Sequence, residues 1–305
     1  MRYLVTGAAG FIGSHLVEAL IAAGHDARGV DAFTDYYDPA LKEENARGLD
    51  VARLDLAADD LDLGGIDGVF HLAGQPGVRA SWGAEFELYV RRNVLATQRL
   101  FEQAVAPGVR VVFASSSSVY GDAEAYPTPE DTPPRPISPY GITKLACEHL
   151  AHAYARAGLE AVTLRYFTVY GPRQRPDMAF TALVTALAED RPFRLFGDGG
   201  AARSFTYVAD AVAATVAAME RGAAGATYNV GGGDEATMTE AIALAERISG
   251  RSLRLERLPA AAGDVRRTRA DVTRARDGLG WAPTTALEEG LRAQWEWARS
   301  RVAAR

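Results

Sequence analysis

A Rossmann-type α/β fold, a doubly wound parallel sheet with a smaller C-terminal lobe, is what this sequence predicts, on three observations. Short apolar strands alternate with helical stretches across residues 3–167, the pattern of strand–helix–strand units in a parallel sheet. A glycine-rich turn, Gly7-Ala8-Ala9-Gly10-Phe11-Ile12-Gly13, joins the first strand to the first helix. Asp31, Asp55, Ala73, Ser116 and Thr168 all fall just after strands. Ligands in such sheets sit at the carboxyl ends of the strands, so one crevice can hold all of these groups.

The first strand is read at 3–5, followed by apolar positions Ile12, Leu16, Val17, Leu20 and Ile21 at helical spacing. Gly7 allows the tight turn, Gly10 lets the backbone approach a pyrophosphate, and Gly13 lets the helix pack close to the strand. The spacing is Gly-x-x-Gly-x-x-Gly. The helix start then offers free N–H groups and a positive dipole end to an anion. A second strand at 27–30 ends in Asp31. An acid there accepts the adenosine ribose hydroxyls and repels a 2′-phosphate, which favours NAD over NADP. A third strand at 51–56 ends in Asp55-Leu56, placed to flank adenine. A fourth ends in Leu72, before the small residues Ala73 and Gly74. A long helix is expected at 85–105, a fifth strand at 109–114, a proline-rich loop at 127–139, a helix at 140–157 and a sixth strand at 161–167.

Beyond Phe167 the alternation loosens. A helix at 180–188, strands at 193–196, after Arg203 and at 253–258, a turn at 262–264 and a last helix at 287–298 make the second lobe. The expected division is a dinucleotide-binding domain of 1–171, with 226–234 returning to it, and a lobe of 172–225 and 235–305. Trp281, Trp295 and Trp297 are read as packing residues.

The 305 residues suffice for one large domain or two unequal ones. Hydrophobic residues at 48% and charged residues at 24% describe an ordinary globular chain. A net charge of −6 argues against a nucleic-acid partner. The one cysteine, Cys147, excludes an internal disulfide and suits a reducing, cytoplasmic setting. No apolar run is long enough to span a membrane, and Met1 leads directly into the first strand, so no signal peptide is expected. The histidines and Cys147 show no metal-ligand spacing, so no metal is expected.

The chemistry centres on Tyr140-Gly141-Ile142-Thr143-Lys144. A helix starting near Pro139 puts residues four apart on one face. A free phenol titrates near pH ~10 and is a poor base at neutrality. A close cation favours the phenolate, so the pair can take a proton from a substrate hydroxyl. Lysine occurs only at Lys42 and Lys144 in this arginine-rich chain. A guanidinium fork would be a different group at that site.

With these residues in hand, the chain resembles the NAD-dependent epimerase/dehydratase branch of the extended short-chain dehydrogenase/reductase superfamily over nearly its whole length. Within it the UDP-glucuronate 4-epimerases are most similar. The carrying segments are the glycine turn, the run from Asp31 through Tyr36 and Tyr37 to Asp38, His71-Leu72-Ala73-Gly74-Gln75-Pro76-Gly77-Val78-Arg79, the serines before Gly121, the Tyr140 segment, and the run from Arg165 through Arg175 to Ala179.

The resemblance implies that Ser116 is the hydroxyl partner of Tyr140 and that Lys144 holds the nicotinamide ribose. Tyr140 would take the proton of the sugar 4-hydroxyl while NAD takes a hydride. Phe167 would place backbone against the nicotinamide, and Arg175, Arg203 and Asp264 would hold the UDP moiety of a UDP-sugar substrate. The resemblance also suggests a homodimer through the helices at about 85–105 and 140–157. Related 4,6-dehydratases carry Asp-Glu where Ser117-Ser118 stand, UDP-glucuronate decarboxylases a Glu at Ser118, and UDP-glucose 4-epimerases commonly an Asn at Thr168. The three hydroxyls here suit a uronic-acid carboxylate, with Arg79 as added charge. UDP-glucose 4-epimerase and decarboxylase are the alternative activities, and an NAD-binding regulator the alternative without chemistry. Gly74 and Pro76 replace more usual alanines. The turn Ala262-Gly263-Asp264 lacks an arginine that many UDP-glucose epimerases place there.

Overall fold

The structure, a computed structural model, describes residues 1–259 and 267–303. Seven parallel strands make the main sheet: β1 (Arg2–Thr6), β2 (Asp26–Asp31), β3 (Val51–Arg53), β4 (Gly68–His71), β5 (Arg110–Ser116), β6 (Ala161–Tyr166) and, further along the chain, Thr227–Val230. Two short strands intervene before the main sheet is completed at Thr227: β7 (Thr168–Tyr170) and β8 (Phe193–Phe196), followed by β9 (Ala202–Tyr207). The completing strand is β10, and the spatial order is β10-β6-β5-β4-β1-β2-β3. The chain leaves β1 in one direction and returns to its other side at β4. A crevice therefore opens beyond the carboxyl ends of these two strands.

Apolar side chains from both faces bury the sheet. Helix α1 (Phe11–Ala22) lies on one face, with Leu16, Val17 and Leu20 fully buried against Val5, Phe70 and Val112. The opposite face carries the long helical segment at 86–105 and the helix Pro139–Ala155. Leu100, Phe101 and Ala104 pack there with Val111, Phe113 and Cys147. Burial raises the pKa of the Cys147 thiol, which keeps it protonated and unreactive.

Several boundaries differ from those expected. The third strand stops at Arg53, and the segment expected as strand to residue 56 turns at Asp55, whose carboxylate accepts from the Ala57 N–H at 3.0 Å. The helix expected at 85–105 is α3 (Phe86–Tyr89) and α4 (Ala96–Val105) joined by one wide π-helical turn, Val90–Leu95. Such a turn releases backbone and re-aims side chains, a feature common at functional sites. Here it turns Asn93 inward, where the amide accepts from the Gln75 N–H at 2.6 Å and donates to Thr143 Oγ1 at 3.0 Å. Arg203, expected before a strand, lies within β9, and Thr168 opens β7.

The largest departure is a helix at Val208–Arg221. The expected division put residues 172–225 in the second lobe. This helix instead packs Val208, Ala211, Ala214 and Ala218 into the same cluster as α1 and the main sheet. Its alanine-rich face permits close approach to the sheet, and it carries the chain from β9 back to β10. Trp281 joins that cluster too, its indole N–H donating to the Asp210 carbonyl at 2.9 Å.

The second lobe has its own core. Phe180, Leu183 and Leu187 from Ala179–Ala188, Ala241 and Ile242 from Met238–Ser249, and Leu291 and Trp295 from Leu287–Ala303 pack on Phe193, Leu195 and Phe205. The ring of Phe180 stacks on Phe205 at 4.3 Å. The strand Leu255–Leu258 pairs with β8 in parallel. No helix among the described residues is long and apolar enough to cross a membrane.

Candidate active site

A cleft of about 440 Å³ lies over the carboxyl ends of the main strands. Its floor is the glycine turn. Gly7 adopts φ +71°, and a Cβ on Gly13 would fall 2.1 Å from the Gly7 carbonyl oxygen. Any side chain at 13 would push the helix off the turn, so its N–H groups could no longer face a bound phosphate. Gly7, Gly10, Phe11, Ile12 and Gly13 all line the cleft.

Asp31 ends β2 on the same wall and is buried. Its two oxygens accept from the N–H groups of Phe33 at 2.7 Å and Ala9 at 3.2 Å. These bonds orient the carboxylate and leave further lone pairs toward the cleft. Asp55 and Leu56 also reach the wall, but the Asp55 carboxylate is paired with Arg91 at 2.8 Å. Leu72 and Ala73 line the cleft beyond β4. Buried His71 supports them from below, bonded to Thr6 Oγ1 at 2.8 Å and Thr97 Oγ1 at 3.0 Å. Burial, and then the charge of Lys144, hold its pKa down to about 3, so the ring is neutral at physiological pH.

The other end is built by β5 and α5 (Pro139–Ala155). Ser138 caps that helix, its hydroxyl accepting from the Gly141 N–H at 3.1 Å, and Pro139 takes the first position. Gly141 runs so close to the serine turn that an added Cβ would sit 2.5 Å from the Ser118 carbonyl oxygen. That approach sets Tyr140 beside Ser116, Ser117 and Ser118 on the wall of the cleft. Lys144 lies one helical turn further on, buried, its ammonium donating to the Ala114 carbonyl at 2.9 Å and lying 5.2 Å over the Phe113 ring. The Tyr140 ring meets Tyr89 edge-on at 6.2 Å, and the Tyr89 hydroxyl is anchored on the Pro76 and Gly77 carbonyls at 2.7 Å.

Phe167, Thr168 and Arg175 complete the wall. Arg175 pairs bidentately with Asp177 at 3.0 Å, and Asp177 also accepts from the Tyr36 hydroxyl at 3.2 Å. Burial opposes the arginine's charge, but the Asp177 bonds and charge outweigh it and raise its pKa. The hydroxyls of Ser117, Ser118 and Thr168 have no hydrogen-bond partner among the described residues, and the three residues line the cleft.

Two expected residues, Arg79 and Arg203, are not on this wall. Arg79 is exposed in a short 3₁₀ turn, its guanidinium 4.5 Å over the Phe196 ring of the second lobe. Arg203 lies in β9, donating to the Ala202 carbonyl at 2.9 Å. Asp264, with its turn, lies outside the described residues. Sequence reasoning gave no role to Thr34, Tyr36, Tyr37, Lys42 or Arg92, which do line the cleft. The rarity of lysine was the available signal for Lys42. Among the described residues no group of three or more His, Cys, Asp or Glu is set to hold a metal.

The NAD dependent epimerase/dehydratase model matches residues 3–231. The chain belongs to that family. Other family members agree over the whole length. The chain is 41% identical to the UDP-glucuronic acid 4-epimerase of Bacillus cereus, solved with UDP-glucuronic acid and NAD, at a TM-score of 0.95 over 99% of this chain and 100% of that one. It is 42% identical to an uncharacterised UDP-glucose epimerase of Bacillus subtilis over 95% of this chain and 96% of that one. It is 36% identical to the UDP-glucuronate 4-epimerase of Thermodesulfobacterium geofontis over 98% and 97%. The glycine turn and the Tyr140–Lys144 pair thus sit in an epimerase/dehydratase scaffold.

Proposed function

We propose that this protein is an NAD-dependent isomerase that interconverts UDP-glucuronate and UDP-galacturonate through a 4-keto sugar, with its carboxylate retained. The observation that carries the reading is one wall: Tyr140, Lys144 and Ser116 stand beside three unpartnered hydroxyls of Ser117, Ser118 and Thr168. The likeness to the Bacillus cereus enzyme supports it.

The cradle at Gly7 and Gly13 suits a dinucleotide, since a Cβ at 13 would strike the Gly7 carbonyl and push the helix start off the turn. Gly7, Gly10, Phe11, Ile12, Gly13, Asp31, Leu72, Ala73, Tyr140, Lys144 and Phe167 would hold NAD, with Asp55 and Leu56 flanking the adenine. When bound, NAD supplies the hydride acceptor for sugar C4 and the donor that restores it. Tyr140 takes the 4-hydroxyl proton and later returns it, with the Lys144 ammonium one helical turn away. Ser116 donates to the same oxygen. The keto sugar turns in the cleft between the two transfers. Arg175 and Arg203 are assigned to the UDP moiety, whose buried charge needs cations.

Oxidation at C4 makes the uronic acid a β-keto acid, which loses CO₂ readily when its C–carboxylate bond stands perpendicular to the ketone plane. Neutral hydroxyl donors can hold the carboxylate near that plane, whereas a glutamate would repel it. Ser117, Ser118 and Thr168 have that role. Incubation with UDP-glucuronate, read by NMR of the product sugar, should give UDP-galacturonate with no pentose. Ser118→Glu should raise released CO₂ relative to epimer. Turnover of UDP-glucose alone would shift the assignment to the neutral hexose, the reading that the Bacillus subtilis relative favours.

The reading includes a cytoplasmic homodimer. Phe86, Val90 and Leu95 on one helical segment and Ile142 on α5 are exposed apolar side chains on the two helices expected to pair. Light scattering should give twice the mass of a 32.6 kDa chain, and a monomer at micromolar concentration would remove this part.

A further inference from the structure

Arg175 and Asp177 sit on one tight turn after β7. The Met178 N–H closes it on the Arg175 carbonyl at 3.1 Å, and Pro176 takes the second position, where its fixed φ suits a turn. The turn brings the two side chains together. The guanidinium donates through Nε and Nη2 to the two Asp177 oxygens, each at 3.0 Å. A guanidinium has five N–H donors in a planar fork, so this edge uses two of them. No other group among the described residues accepts the rest. They include the whole Nη1–Nη2 edge, which can take two oxygens of an anion side by side. Arg175 lines the cleft, its side chain 20% exposed.

Asp177 is held in turn from the opposite rim. Tyr36 stands in the loop between β2 and α2 (Pro39–Asn45), 141 residues earlier in the chain, and its hydroxyl donates to Asp177 Oδ2 at 3.2 Å. The Arg175 guanidinium lies 5.9 Å over the Tyr36 ring. Gly77 makes room for the phenol: it adopts φ +100°, and a Cβ there would fall 2.3 Å from the Tyr36 hydroxyl. The loop after β2 thus reaches across the cleft and ends on the carboxylate that sets the arginine. Ordering a long arginine side chain costs entropy, and an anion that meets it already ordered is spared that cost.

We infer that Asp177 and Tyr36 are positioning residues for Arg175. Asp177 fixes the guanidinium with its open edge toward the cleft, and Tyr36 fixes Asp177, so the grip on the substrate's diphosphate is set from both rims. The assignment rests on the UDP-sugar reading given above. A carboxylate that merely competed with the substrate for the arginine would have the opposite effect, since its removal would tighten binding.

The test uses the whole protein loaded with NAD, as wild type, Tyr36→Phe, Asp177→Ala and the double variant. UDP affinity is measured by calorimetric titration, and kcat and KM for UDP-glucuronate from initial rates. Tyr36→Phe removes one hydrogen bond to a carboxylate and should weaken UDP binding and raise KM by about three- to tenfold. Asp177→Ala frees the guanidinium and should do both by about ten- to a hundredfold. In each, kcat should stay within about threefold, because neither side chain is placed against the reacting carbon. The double variant should match Asp177→Ala, since Tyr36 acts through Asp177. Tighter UDP binding by Asp177→Ala overturns the assignment, as do additive losses or a fall in kcat at unchanged KM. A lower melting temperature with unchanged UDP affinity would mark a purely structural role and overturns it too. Failure of the wild type to bind UDP would overturn the substrate reading itself, whereas loss confined to the variants supports the two residues and leaves that reading standing.

Discussion

Tyr140→Phe should lower the epimerisation rate by about 10²–10⁴-fold, the usual share of a positioned acid–base group. The substitution removes one oxygen. The ring keeps its edge-on contact with Tyr89, and the backbone keeps its place beside the serine turn. Substrate KM should therefore stay within about twofold, because the lost interaction is made only as the proton moves. NAD affinity should fall little, since most of the groups assigned to the cofactor lie elsewhere on the cleft. Initial rates over a range of UDP-glucuronate concentrations measure both terms. A loss smaller than tenfold would show that another group takes the proton.

Glu148→Leu should cost about 3–5 kcal/mol of stability in urea unfolding, through a residue that never touches substrate. Glu148 lies on the helix that carries Tyr140 and Lys144, and its carboxylate pairs with Arg165 of β6 at 2.7 Å, both side chains nearly buried at 10% and 7% exposure. It also accepts from the Ser115 hydroxyl at 2.5 Å. Arg165 donates to the Tyr120 hydroxyl at 2.9 Å and the Glu130 carbonyl at 3.0 Å. Removing the acid strands a buried guanidinium. The double variant Glu148→Leu with Arg165→Met should recover part of the loss, since a buried pair replaced as a unit is far less costly than one partner left alone. Additive losses would instead mean that the two side chains do not act as a pair. Because the same acid ties α5 to the end of β5, the single variant should also lower turnover at temperatures well below its melting point.

Much of the candidate site was legible in the chain because its signals are short. The glycine turn needs three glycines and a strand before them, and the structure places Gly7, Gly10 and Gly13 on the floor of the cleft. Tyr140 and Lys144 are one helical turn apart wherever that helix goes. The misread features depend on distant neighbours. Nothing in the pattern around Val90 announces a wide turn. Asn93 is turned inward by the Gln75 backbone and by Thr143, tens of residues away. The helix Val208–Arg221 is alanine-rich, and its pattern does not say which core it joins. Arg203 was expected just before a strand, yet pairing with Glu235–Thr237 and Arg267–Thr268 draws it into a small sheet.

By itself the sequence determined the kind of chemistry and the kind of scaffold. Backbone sterics at glycine, a 3.6-residue helical period and alternating apolar runs all act within a few residues, so they can be read locally. The tertiary structure alone decided which groups meet. It brought Lys42 to the same cleft as Lys144, placed three unpartnered hydroxyls beside one phenol, and buried Arg165 against Glu148. These are contacts between segments far apart in the chain. Their outcome depends on how the apolar surface of the whole core packs, and no short window of residues contains that balance.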